Sequence, residues 1–136
     1  MKRRKFLKQS SLFTIGAFTM SQNLFAVPPD KFISKRPKLE DRNFTSEAVE
    51  ATIREVKSAI KDEEIAWLFE NCYPNTLDTT IDFEIIDGKP DTFVITGDID
   101  AMWLRDSTAQ VWPYMPLISK DEKLRELVKG LINRQV

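Results

Sequence analysis

Between Thr96 and Tyr114 the chain reads TGDIDAMWLRDSTAQVWPY, which sets Asp98, Asp100, Trp103, Arg105, Asp106 and Trp112 close together in a protein of 136 residues that has no histidine. Asp and Arg are almost never fully buried unless paired or hydrogen-bonded, so the stretch does not read as core. Two tryptophans and a methionine beside the charges do not read as a solvated helix face either. The mixture suits a polyhydroxylated ligand: carboxylates and a guanidinium grip hydroxyl groups, while an aromatic plane lies against the apolar face of a sugar ring. Each candidate also has a plainer reading. Asp98 or Asp106 serves equally as a helix N-cap, Arg105 as a structural ion-pair partner, and Trp112 as core. Two of Asp98, Asp100 and Asp106 could form an acid and base for glycoside hydrolysis if their carboxyl groups stand about 6.5–9.5 Å apart, or about 5–5.5 Å for retention.

The absence of histidine removes a Ser-His-Asp triad, a Cys-His dyad and most zinc sites from consideration. Acid–base chemistry within these residues falls to carboxylates. Cys72 is the single cysteine, so an internal disulfide and a thiolate metal cluster are both ruled out. It is expected to be a buried, space-filling thiol. Nothing in the pattern asks for a cofactor or a metal.

Several elements must position the Asp-rich stretch. From Thr45 the apolar residues Val49, Ile53, Val56 and Ile60 recur at helical spacing, and a second set, Ile65, Leu68, Phe69 and Cys72, continues before Pro74. Whether Lys61-Asp62 divides this run into two helices is left open by the pattern. Ile81, Phe83 and Ile85 alternate with Asp82 and Glu84, and TFVIT follows DGKPD, which predicts a hairpin turning at Asp87-Gly88. Gly97 ends the second strand, and a helix is expected to begin at Asp106-Ser107. That start would aim Arg105 and Asp106 into the space where the first backbone N–H groups also point. Ser119 and Glu122 predict a capping box ahead of Leu124, Leu127, Val128, Leu131 and Ile132. The chain stops inside that last helical pattern, and the apolar face formed by Leu124, Leu127, Val128 and Leu131 is expected to lack partners.

Apolar residues make up 42% and charged residues 30% of the chain, the balance of a globular sequence. The formal charge of −1 is unevenly spread. Five of the 20 basic residues and none of the 21 acidic ones fall in residues 1–26, which leaves 15 against 21, a net of −6, on the rest. A nucleic-acid backbone would be repelled by that remainder, so no nucleic-acid partner is expected.

Residues 1–26 read as an export signal, with a basic head, a mildly apolar run from Ser11 to Met20 and an exit at Ala26. RRKFLK at Arg3–Lys8 is close to the twin-arginine pattern. The general secretory route and a plain amphipathic helix are the alternatives. The apolar run is far short of the ~20 residues a membrane span needs, and with no cysteine at the exit a lipid anchor there is excluded. The expected product is a soluble protein, periplasmic or extracellular, whose partners include the export machinery but no stable membrane anchor. Residues 27–43, with Pro28, Pro29 and Pro37, have linker composition and are expected to be extended. The structural domain is then expected over residues 44–136.

The stretch TGDIDAMWLRDSTAQVWPY resembles the signature near the N-terminus of glycoside hydrolase family 125, bacterial and fungal exo-acting α-1,6-mannosidases. VKSAIKDEEIAWLFENCYPNTLDTT and LVKGLINRQV are similar to the same family. The resemblance implies a mainly α architecture, the N-terminal part of an (α/α)6 barrel with a small β-hairpin. It implies metal-free, inverting hydrolysis of an α-mannoside glycan by a carboxylic acid and a carboxylate base. It further implies that Arg105 and Asp106 bind the terminal mannose, that Asp98 and Trp103 support the same pocket, and that the acid and base lie beyond Val136, so that no catalytic residue is assigned here. A non-catalytic secreted module that binds glycans or a partner, an inactive gene fragment and a self-contained glycosidase are the competing readings.

Overall fold

The computed structural model of the protein describes residues 32–97 and 100–136. The export signal, residues 27–31 of the proline-rich lead-in and Asp98 lie outside the described residues. Every element below lies in the compact unit Ile33–Val136.

Helix α1, Glu47–Ala59, begins where Ser46 turns extended and its hydroxyl accepts a hydrogen bond from the Val49 backbone N–H. This is the N-cap that offsets an orphan donor of the first turn. Helix α2, Glu63–Cys72, is separate, and Asp62 is the reason. Its carboxylate accepts from the Glu64 and Ile65 N–H groups at 3.0 and 3.1 Å, starting a new helix after Ile60 has turned extended. A π-helical turn, Thr76–Thr80, leads into strands β1, Ile81–Ile86, and β2, Lys89–Val94. The strands pair antiparallel from Ile81↔Val94 to Ile86↔Lys89, leaving Asp87 and Gly88 as a two-residue loop. Both loop residues have positive φ, 50° and 76°. That is the type I′ geometry for which Asp-Gly is favoured. Helix α3, Leu104–Val111, passes directly into a 3-10 segment, Trp112–Leu117, and helix α4, Glu122–Gln135, closes the order. The fold is mainly helical with one small antiparallel sheet.

Helix α4 starts differently from the expectation. Its N-cap is Asp121, whose carboxylate accepts from Leu124 N–H at 3.1 Å, so the capping box of Ser119 with Glu122 does not form. The reason is tertiary: the other Asp121 oxygen accepts from the Ser46 hydroxyl at 2.6 Å, so one carboxylate joins the starts of α1 and α4.

The core gathers Phe44, Val49, Ile53, Leu77, Ile81, Val94, Val111, Tyr114, Leu124, Leu127, Val128 and Leu131. The α4 leucines expected to lack partners are therefore buried. They are covered because α4 lies on the hairpin, where the Thr92 hydroxyl donates to the Leu127 carbonyl at 2.8 Å. Gly130 permits the approach: a Cβ there would stand 2.5 Å from Thr92 Oγ1 and 2.9 Å from the Asp91 carbonyl carbon. Two further expectations are corrected. Cys72 is exposed, not buried, because α2 has no fully buried residue and Cys72 lies along its open edge. Trp112 is 67% exposed, since the switch to 3-10 winding at Pro113 turns Tyr114 inward instead.

Candidate functional site

Beyond β2 the backbone is tied off before it reaches the charged residues. Ile95 N–H donates to the Thr80 carbonyl at 2.9 Å. Thr96 N–H and its hydroxyl both donate to the Ala101 carbonyl, at 3.0 and 2.9 Å, and the same hydroxyl accepts from Trp103 N–H at 3.0 Å. One threonine thus closes a loop and fixes the residue that precedes α3. Gly97 takes φ 123°, a backbone conformation costly for any residue with a Cβ.

Helix α3 begins at Leu104, two residues earlier than expected, so Asp106 is its third residue and not its cap. The position before the helix belongs to Trp103, which supplies no side-chain cap. Trp103 thus leaves the first-turn N–H groups, the partial positive end of the helix dipole, uncapped by its own side chain. Arg105 and Asp106 stand on that turn, with Arg105 Nη2 at 3.3 Å from Asp106 Oδ1. Their side chains are 87% and 38% exposed, and Trp103 is 57% exposed. A long contact between exposed neighbours contributes little to stability, which argues against a structural ion pair. Asp100 is also exposed, on the loop before Trp103. Asp98 lies outside the described residues.

The scaffold beneath is tied together by hydrogen bonds. Ser107 is fully buried, and its hydroxyl accepts from Gln135 Nε2 at 2.9 Å while donating to the Leu104 carbonyl at 3.2 Å. Gln135 Nε2 also reaches Thr108 Oγ1 at 3.1 Å. The end of α4 thereby grips the first turn of α3. Below the helix the Tyr114 hydroxyl donates to the Tyr73 carbonyl, and burial pushes its phenol far above the usual range, keeping it a neutral donor. Thr96, Ser107 and Gln135 were absent from the sequence-derived set. Thr96 and Ser107 lie inside the quoted stretch, but Gln135 is 28 residues from Ser107 and carried no local signal.

An open apolar groove of about 610 Å³ runs between α2 and α3, lined by Ile65, Leu68 and Cys72 on one side and by Gln110 and Pro113 on the other. Gln110 Oε1 is buried beside it with no hydrogen-bond partner among the described residues. Trp103, Arg105 and Asp106 do not line this groove. Among the described residues no group of three or more Cys, Asp or Glu comes together as a metal site. No described helix is long and apolar enough to cross a membrane.

Residues 62–136 match the family model of the metal-independent α-mannosidases, glycoside hydrolase family 125, and the chain belongs to that family. Over 111 residues it is 49% identical to the Meiotically up-regulated gene 157 protein of Schizosaccharomyces pombe, an alignment that takes in 81% of this chain. The alignment covers 22% of that relative, so the chain spans about a fifth of its length.

Proposed function

We propose that this chain supplies part of the terminal-sugar subsite of an exported, inverting exo-α-1,6-mannosidase. The observation that carries the reading is the first turn of α3, where exposed Arg105 and Asp106 stand beside exposed Trp103 in a chain that belongs to an α-mannosidase family. A guanidinium offers fixed donors and a carboxylate offers acceptors, so together they hold adjacent sugar hydroxyls in one orientation. The Trp103 ring offers an apolar wall. These groups bind and orient; Asp98 is assigned to the same pocket. The carboxylic acid and the carboxylate base that inversion requires are assigned to the part of a full-length protein outside these residues.

In a full-length context, Arg105→Ala and Asp106→Ala should each weaken productive binding of the terminal mannose by about 1.5–3 kcal/mol, the range for hydrogen bonds to charged groups. Unchanged kcat/KM in either variant would remove the subsite assignment. This chain alone should release no mannose from an α-1,6-linked mannobiose. Turnover that Asp106→Asn abolishes would instead favour a self-contained glycosidase, and saturable glycan binding without turnover in a full-length context would favour a non-catalytic module. Export is part of the proposal: exported material should begin at Val27, and Arg3→Lys with Arg4→Lys should block its passage if the twin-arginine route is used.

A further inference from the structure

Helix α2 meets the rest of the fold through Phe69, which packs on the core, and through Glu70, which pairs with Lys57 of α1. It has no fully buried residue, and Ile65 and Leu68 are exposed along it. An amphipathic helix normally draws its stability from a buried apolar face, and with none fully buried the polar ties to its N-terminal side count for more. The hydrogen bonds lead to residues 33–43, which precede the first helix and lie outside the family match. The Trp67 indole Nε1–H donates to the Ile33 carbonyl at 2.8 Å, and Lys35 N–H donates to Asn71 Oδ1 at 2.6 Å. Trp67 and Asn71 stand one turn apart on α2, so the strap runs along the helix.

The strap is itself anchored by Arg36, whose side chain is 6% exposed. Its guanidinium donates from Nη1 and Nη2 to Glu50 of α1 at 3.0 and 2.6 Å. It also donates from Nε and Nη2 to Asp78 of the π-helical turn at 2.7 and 3.1 Å. Four of the five guanidinium donors are thus used, in two forked pairs. Arg42 adds the fourth charge, reaching Glu50 at 3.1 Å and donating from Nε to the Pro37 carbonyl at 3.0 Å. Two cations and two anions balance, which is the condition for charges to remain buried. Past the cluster, Asn43 N–H donates to the Asp78 carbonyl at 3.0 Å and its side-chain amide donates to the Ile81 carbonyl at 2.9 Å.

We propose that residues 33–43 are a clamp, pinned by Arg36, whose role is to hold α2 against the rest of the fold. Opening of the clamp releases α2 while the hairpin and α4 stay closed. That makes α2 and the strap one local unfolding unit, in the sense that stability is not uniform across a structure. It also sets a boundary for any N-terminal processing: a cut before Ile33 leaves α2 held, and a cut after Arg36 frees it.

Amide hydrogen exchange on the full chain tests this. In Arg36→Met, amides of residues 33–44 and of α2 should exchange at least tenfold faster, whereas those of β2 and α4 should change by less than threefold. Arg36→Lys keeps the charge but loses the fork, and should show the same regional pattern with a smaller increase. An equal increase in every element would make Arg36 a general stabiliser and overturn the clamp, as would no increase in α2. If Arg36→Met fails to fold, the regional pattern in Arg36→Lys decides between the same two outcomes.

Discussion

Arg36 with Asp78 and Arg105 with Asp106 are the same two residue types in two environments. The first pair joins positions 42 residues apart, with Nε at 2.7 Å from Oδ2 and side chains 6% and 3% exposed. The second joins neighbours at 3.3 Å, with side chains 87% and 38% exposed. In the buried pair nearly every donor and acceptor is met from within the chain, so it has nothing to offer a ligand. In the exposed pair most of the hydrogen-bonding capacity faces outward, at a helix end that Trp103 does not cap. The difference separates charge that serves the fold from charge free to serve recognition, and residue type alone does not tell them apart.

Breaking the buried cluster should have the largest consequence. Asp78→Ala leaves the buried Arg36 and its neighbour Arg42 short of a partner, and losses of that kind cost about 3–5 kcal/mol. Denaturant titration would measure it, and a cost under about 1 kcal/mol would mean that solvent reaches the cluster. Gly130→Ala comes next. Its methyl group would collide with Thr92 Oγ1, which is committed to Leu127, and with Asp91 backbone that has little room to move. Overpacking of this sort costs about 1–3 kcal/mol, visible as a lower melting temperature with no change in the exposed α3 end.

Asp121→Ala should cost about 0.5–2 kcal/mol, the value of a lost N-cap, and it also bears on pH dependence. Burial works to raise the Asp121 carboxyl, but hydrogen bonds from Ser46 and from the Leu124 and Ala48 backbone hold it below the usual carboxylate range. Glu50 is held low chiefly by the hydrogen bonds from Arg36. Both groups bind protons less readily folded than unfolded. Their stabilisation is therefore complete above the unfolded carboxylate value of about 4 and is lost as pH falls through it toward the lower folded values. Melting temperature should drop on acidification below about pH 5, and Asp121→Asn should flatten part of that slope. The smallest effect on stability is expected for Arg105→Ala and Asp106→Ala, within about 0.5 kcal/mol as for other surface changes. A large loss of stability in either would place that residue with Arg36 on the structural side of the comparison.

Much of the local structure is legible in the sequence, because its causes lie within a few residues. Asp87-Gly88 dictates a tight hairpin by tolerating positive φ, and the alternation on either side sets the strands. The spacing of Leu124, Leu127, Val128 and Leu131 marks a helix face, and the family resemblance rests on one dense run, Thr96–Tyr114. The division between α1 and α2 was undecided only because a capping Asp62 and a surface Asp62 look alike in one dimension.

What only the tertiary structure decided was which surfaces meet. Arg36 sits in a segment of linker composition, and nothing near it announces Glu50 and Asp78, 14 and 42 residues away. Asp121 displaced Ser119 as the cap of α4 because Ser46, 75 residues earlier, arrives to donate to it. Gly130 resembles a weak point in a helix until β2 occupies the space its missing side chain leaves. Helical and hairpin signals are carried by the chain's own geometry over one or two turns. Burial, close approach and ion pairing depend instead on elements far apart in sequence coming together, and only their packing tells Arg36 from Arg105.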